Sequence, residues 1–226
     1  MARRRPEERR EEILRAAGEV VLREGFGRTS ARELAAAVGV STGLLHHYFP
    51  SMDEVLVRAV QLFSEEDLAQ LADEVGEEHE APALVRLDRV LRWCVPAPDD
   101  PACRFWVEAW SESLRNAGVA GATRHLNEVW HEGLTELLTD AAADGTGQCP
   151  DPEATAWRLL ALIDGLTVQV LAYGSLGPAE LLAQARAATE LELGLAPGTL
   201  AGLEPGDDAG SDGHRRVRTD RPDPTV

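Results

Sequence analysis

The stretch TSARELAAAVGVSTGLLHHYFP, Thr29 to Pro50, constrains this chain more than any other. Ser30 followed three residues later by Glu33 makes a capping box, in which each side chain takes the other's backbone N–H. Leu34, Ala35 and Val38 then recur at helical spacing, and Gly39 supplies the left-handed residue that ends the helix. Val40 pins the turn, and Ser41 is a ready N-cap for a second helix carrying Thr42 to Phe49. Pro50 closes that helix, because the residue before a proline is driven out of the helical region. Residues 31–50 thus spell a helix-turn-helix, whose second helix is of a size to enter a DNA major groove.

Helical periodicity continues on both sides. Glu8 to Glu24 carries the stripe Ile13, Leu14, Ala17, Val20 and Val21, and Gly25 stops it before Phe26 turns into a three-helix core. Ser51 and Glu54 form a second capping box, opening a long helix with Val55, Leu56, Ala59, Val60 and Phe63, onward to about Val75. Beyond an acidic linker, Glu77 to Glu80, four more helices are expected: Pro82 to Val95, Cys103 to Asn116, Val119 to Asp144, and Glu153 to Tyr173. The last of these is apolar almost all round and must bury most of its faces. An amphipathic helix from Pro178 to Leu193 follows. The fold class is all-α: a three-helix domain with the helix-turn-helix over 8–68, then a helical domain over 77–195. The segment 197–226, with five Gly, four Pro and no aromatic, reads as a disordered tail.

Charge separates the two halves. The net charge of −17 opposes nucleic-acid binding as an average. Residues 1–60, however, hold ten Arg against nine acids, and residues 61–226 hold twelve Arg against thirty acids. Only the first part would not repel a polyanion, and its DNA affinity is expected to rest on a few placed contacts. The arginine-rich start 1–7 and the basic patch His214 to Arg218 are read as solvated termini. Three widely spaced cysteines, Cys94, Cys103 and Cys149, with no secretory signal, indicate reduced thiols and a cytoplasmic protein. No run of 18 apolar residues is present, so no membrane partner is expected.

The matches Ile13-Leu14-Arg15-Ala16-Ala17, Glu24-Gly25-Phe26, Thr29-Ser30, Gly39-Val40-Ser41, Gly43, Tyr48-Phe49 and Glu54-Val55-Leu56 fall in one register. On them, residues from about Arg9 to Phe63 resemble the TetR family of one-component bacterial transcriptional regulators. His46 stands where many relatives carry an aromatic, and Met52 where they carry a lysine that contacts phosphate. Phe105-Trp106, Glu108-Ala109-Trp110 and Ala161 to Leu166 look like the carboxy-terminal domain of the choline-responsive repressor branch, more weakly. The resemblance implies a homodimeric regulator, read as a repressor, that leaves a palindromic operator when a small molecule binds. Thr42, Gly43, Leu44 and His46 would face base edges, while Thr29, Ser30, Ser41, His47 and Tyr48 would hold phosphates. Leu159, Ile163, Leu166, Val170, Leu182 and Ala185 would build a four-helix dimer interface. The effector pocket is expected at Phe63, Leu91, Phe105, Trp106, Trp110 and Trp130. Tryptophan walls with acidic neighbours suit a cationic effector.

The same residues admit other chemistries. Gly39-Val40-Ser41-Thr42-Gly43 matches the hydrolase pattern G-x-S-x-G, but that motif needs a strand before the serine, and Glu33 to Val38 is helical. His46 and His47 are adjacent, about 100° apart on a helix, and cannot share a metal. His125 and His131 are six residues apart, off the spacing a helical metal site uses. Neither catalysis, metal nor cofactor is expected. A helical small-molecule binder without DNA function is the competing class.

Overall fold

The computed structural model describes residues 5–76, 81–97 and 100–203. The expectations for most of the amino-terminal arm, the acidic linker and the basic patch at His214 to Arg218 lie outside the described residues. Among the described residues all regular structure is helical: α1 (Pro6–Glu24), α2 (Ala31–Val38), α3 (Thr42–Tyr48), α4 (Met52–Val75), α5 (Ala83–Trp93), α6 (Pro101–Ser113), α7 (Ala117–Ala143), α8 (Pro152–Val168) and α9 (Pro178–Glu192). They divide into two compact units. Unit 1 takes α1 to α3, α4 up to Glu66, and 101–125; unit 2 takes the remainder of α4, α5, α7 from Leu126, α8 and α9.

In unit 1 Pro6 occupies the first turn of α1, where its missing N–H costs nothing. Ile13, Ala17 and Val20 are fully buried, as their stripe requires. Gly18 admits the Phe63 ring of α4, since a Cβ there would lie 2.2 Å from Phe63 Cε2. Phe105 anchors an aromatic cluster, with ring centroids 5.6 Å from Phe26, 4.8 Å from Phe63 and 5.4 Å from Trp106. This cluster explains a departure from the expected division: α6, read as part of the second domain, joins the unit that carries the helix-turn-helix.

Unit 2 has its own core, including Leu87, Leu91, Leu134, Leu138, Leu159 and Leu193. Across it, fully buried Asp88 is held by Arg186, Nε to Oδ1 at 2.7 Å and Nη2 to Oδ2 at 3.0 Å, and by Arg92 at 3.0 Å. The stretch from Pro152 to Tyr173, with a mean hydropathy of 1.3, is long and apolar enough to cross a membrane by length and composition alone. Its packing accounts for that composition, because Ala156, Leu159, Leu160 and Ile163 enter the unit's core. The expected single helix ends at Val168 and continues as a π-helical turn, Gln169–Tyr173, stopped by Gly174 at φ 60°.

The disordered reading of 197–226 is corrected at its start. Residues 197–203 form turns, and Leu200 is fully buried. The Glu190 carboxylate, itself buried, accepts the N–H groups of Gly198 at 2.9 Å and Leu200 at 2.8 Å. Glycine and proline supply these turns, so a composition typical of disorder here folds back onto α9.

Candidate functional site

The helix-turn-helix is built from local hydrogen bonds. Ser30 Oγ accepts the Glu33 N–H at 3.3 Å, and the Glu33 carboxylate takes the Ser30 N–H at 3.0 Å and its hydroxyl at 2.7 Å. Those bonds hold the Glu33 carboxyl below its ordinary range. Gly39 adopts φ 72°, and Val40 returns its N–H to Ala35 O at 2.9 Å, closing α2. Ser41 Oγ then caps α3 through the Leu44 N–H at 3.1 Å.

Burial sorts the residues of α3. Leu45 and the following Phe49 are buried at 1% and 2% exposure, whereas Thr42, Gly43, Leu44, His46 and His47 are exposed and Tyr48 is half-buried. The outward face therefore contains the four residues expected to meet bases. Gly43 has a helical conformation, and a Cβ there would meet nothing closer than Ser41 Oγ at 3.9 Å. The fold itself makes no demand for a glycine at this place.

Two of the expected phosphate ligands are otherwise engaged. Thr29 is buried and donates its hydroxyl to Gly25 O at 2.9 Å, so its phosphate role is withdrawn. Ser30 is exposed, but its hydroxyl serves the capping box. Sequence reasoning missed Arg10, which donates Nη2 to Tyr48 O at 2.7 Å and lies 5.3 Å from the Phe49 ring centroid. It satisfies a carbonyl at the end of α3 and sets the exposed face against α1. Its position within a run of charged residues carries no signal of that contact.

Unit 2 carries a half-open cavity of about 490 Å³, within the range of small-molecule sites. Its walls are mainly apolar, with Leu68 and Leu71 from α4, Val90 from α5, and Trp130 and Leu137 from α7. Arg86 and Asp140 join them, paired at 2.7 Å between Nη2 and Oδ2. Of the six residues expected to line a pocket, Trp130 does so. Leu91 is fully buried in the unit's core, while Phe63, Phe105 and Trp106 form the aromatic cluster of unit 1, and Trp110 is half-buried on α6. The expected tryptophan wall is thereby corrected, because Phe63, Phe105 and Trp106 pack against one another at tilted and edge-to-face angles and are buried in the core of unit 1. A wider hollow of about 820 Å³ in unit 1 has the charged walls Asp53, Glu54, Arg58, Glu112 and Arg115, which suit water rather than an apolar molecule.

The surface of α8 and α9 also differs from expectation. Leu159, Ile163 and Ala185, at 1%, 5% and 1% exposure, face the protomer's own core and are withdrawn as dimer contacts. They lie on the part of α8 and α9 that the unit's core covers. Leu166, Val170 and Leu182 remain partly exposed, and so, on the opposite face of α8 from Leu166, does Trp157 at 48%; Tyr173 is 70% exposed. Trp157 stacks on His131 with ring centroids 4.3 Å apart. His131 also hydrogen-bonds Glu153 O at 3.0 Å. Among the described residues no group of three or more His, Cys, Asp or Glu is placed to hold a metal.

Comparison with known proteins addresses both units. Residues 13–59 match the family described as "Bacterial regulatory proteins, tetR family", and residues 83–194 match "BetI-type transcriptional repressor, C-terminal". The transcriptional regulator PksA of Bacillus subtilis is 28% identical, over 73% of this chain and 80% of its own length. The regulator BetI of Rhizobium meliloti is also 28% identical, over 71% and 77%. Among solved structures, a putative transcriptional regulator from Saccharomonospora viridis in complex with choline superposes with a TM-score of 0.73 at 24% identity, covering 79% of this chain and 94% of that one. One from Pseudomonas aeruginosa gives a TM-score of 0.73 at 22% identity, covering 89% and 97%. The exposed α3 of a capped helix-turn-helix and the two matched segments lead to one conclusion: the chain belongs to the TetR family of bacterial transcriptional regulators, DNA-binding proteins rather than enzymes.

Proposed function

We propose that the protein is a homodimeric repressor, seated on a palindromic operator by α3 and released by a small molecule bound in the unit 2 cavity. The observation that carries this reading is the outward face of α3. Thr42, Gly43, Leu44 and His46 meet base edges there, and Ser41, His47 and Tyr48 stand beside them for phosphates. Leu44, 39% exposed, offers an apolar contact to a thymine methyl, and the His46 ring offers a hydrogen bond. The partly exposed Leu166, Val170 and Leu182, with Tyr173, support pairing with a second copy through α8 and α9. Two α3 helices so paired would read half-sites about 34–36 Å apart.

Release requires the effector to favour one state. Moving a dimer from about 1:99 to 99:1 takes roughly 5.5 kcal/mol of differential binding. The lever is α4, which begins at Met52 just after α3 and whose Leu68 and Leu71 line the cavity. Such a regulator works in the cytoplasm, where thiols such as that of Cys149 remain reduced. The test is a gel shift with DNA from beside the protein's own gene. Wild type should retard a discrete fragment, and His46→Ala with Leu44→Ala should lose it while keeping the helical circular dichroism spectrum. A wild type that binds that DNA no better than a random fragment refutes the reading.

A further inference from the structure

We propose that the unit 2 cavity takes an uncharged, mainly apolar molecule presenting a carbonyl oxygen to Arg86 Nε. The proposal rests on reading that cavity as the effector site. Two arginines of unit 2 show a filled guanidinium edge. Arg186 places Nε and Nη2 on the two oxygens of Asp88, at 2.7 and 3.0 Å. Arg158 does the same with Glu192, at 2.7 and 2.5 Å. Arg86 places Nη2 on Asp140, but its Nε is buried with no hydrogen-bond partner. The residue is only 9% exposed and lies in the cavity wall. A buried donor on a charged group is seldom left unmade in a native protein, and a ligand acceptor is a ready way to complete it.

Charge then selects among ligands. Arg86 is balanced by Asp140, and Glu136 adds a second carboxylate to the same wall. An anion would increase an excess of negative charge. A cation would find the carboxylates but leave Nε unmade, facing a guanidinium, with Trp130 as the one tryptophan in the wall. A neutral carbonyl brings an acceptor and no charge, and Leu68, Leu71 and Leu137 take the apolar remainder. The Asp140 side chain is 35% exposed, so it can follow the guanidinium as Nε turns to the ligand.

Four probes of similar skeleton test this: 4-phenyl-2-butanone, butylbenzene, 4-phenylbutyrate and trimethyl(2-phenylethyl)ammonium. Each is titrated calorimetrically into the full-length wild type, Arg86→Lys, Asp140→Asn and Gly133→Phe. Lysine keeps the charge facing Asp140 but has no Nε edge. Gly133 lines the cavity, and nothing lies within 4 Å of an added Cβ, so phenylalanine fills the space without a backbone clash. The ketone should bind wild type about tenfold tighter than each of the other three. That preference should vanish in Arg86→Lys, persist in Asp140→Asn, and all binding should fail in Gly133→Phe. If another probe equals the ketone while Gly133→Phe still blocks it, the ligand class is overturned and the site stands. Binding that survives Gly133→Phe overturns the site as well, and no binding by any probe up to its solubility limit overturns the proposal.

Discussion

Replacing Gly43 by alanine separates what the fold needs from what the operator needs. Gly43 is in the first turn of α3, its φ is not positive, and an added Cβ would find Ser41 Oγ at 3.9 Å and nothing nearer. Alanine therefore strains nothing. It removes backbone freedom from the unfolded chain, and such exchanges at compatible sites stabilise by about 0.4–1 kcal/mol. For a chain of this size that is a rise of about 1–4 °C in Tm. The same methyl points outward from the exposed face of α3. If that face lies against bases, the methyl must displace a close contact, and overpacking of that kind costs about 1–3 kcal/mol per site. Each subunit of a dimer would bear this loss, so operator affinity should fall tenfold or more. Differential scanning calorimetry and fluorescence anisotropy on one preparation give both numbers. Stability that falls on substitution, or operator affinity that does not change, would refute the reasoning.

Leu166→Glu on α8, or Val170→Glu in the π-helical turn after it, at the partly exposed end of the apolar stripe, should give folded monomers in sedimentation, while Leu159→Glu, at the buried end of the same stripe, should unfold unit 2 in a circular dichroism melt. Met52→Lys supplies the absent cation at the start of α4; two new phosphate contacts per dimer should steepen log K against log salt by about 1.8, and an unchanged slope would show that this turn stays away from the backbone. Arg158 holds the Glu192 carboxyl below its ordinary range, chiefly by its hydrogen bonds. A carboxylate with a depressed folded pKa contributes stability above its unfolded value near 4.5, lost as pH falls through the folded value. Thermal melts of Arg158→Met between pH 7 and 3 should show a smaller acid-induced loss than wild type; an identical acid limb would exclude this pair as a contributor.

Local chemistry carried much of the molecule. The Ser30–Glu33 capping box, the left-handed Gly39 and the Ser41 cap close their hydrogen bonds within a few residues, so residue type and spacing suffice to find them. The same holds for the stripe of α1 and the starts of α4 and α8, where Ser51 and Asp151 cap the helix. How much of one apolar stripe the fold would cover was not legible. Leu159 and Leu166 lie two turns apart on the same face of α8 with the same hydrophobicity, and only packing within unit 2 decides that the first is buried and the second partly exposed. Phe63, Phe105 and Trp106 are aromatic in sequence whether they line a pocket or fill a core; their tilted and edge-to-face packing puts them in the core of unit 1. Thr29 looks like a phosphate ligand until its hydroxyl is seen on Gly25 O, and Leu200 looks unstructured until Glu190 draws the following turn against α9. In these cases the deciding partner lies on another element or beyond the reach of a periodic pattern, and its position exists only once the chain has folded.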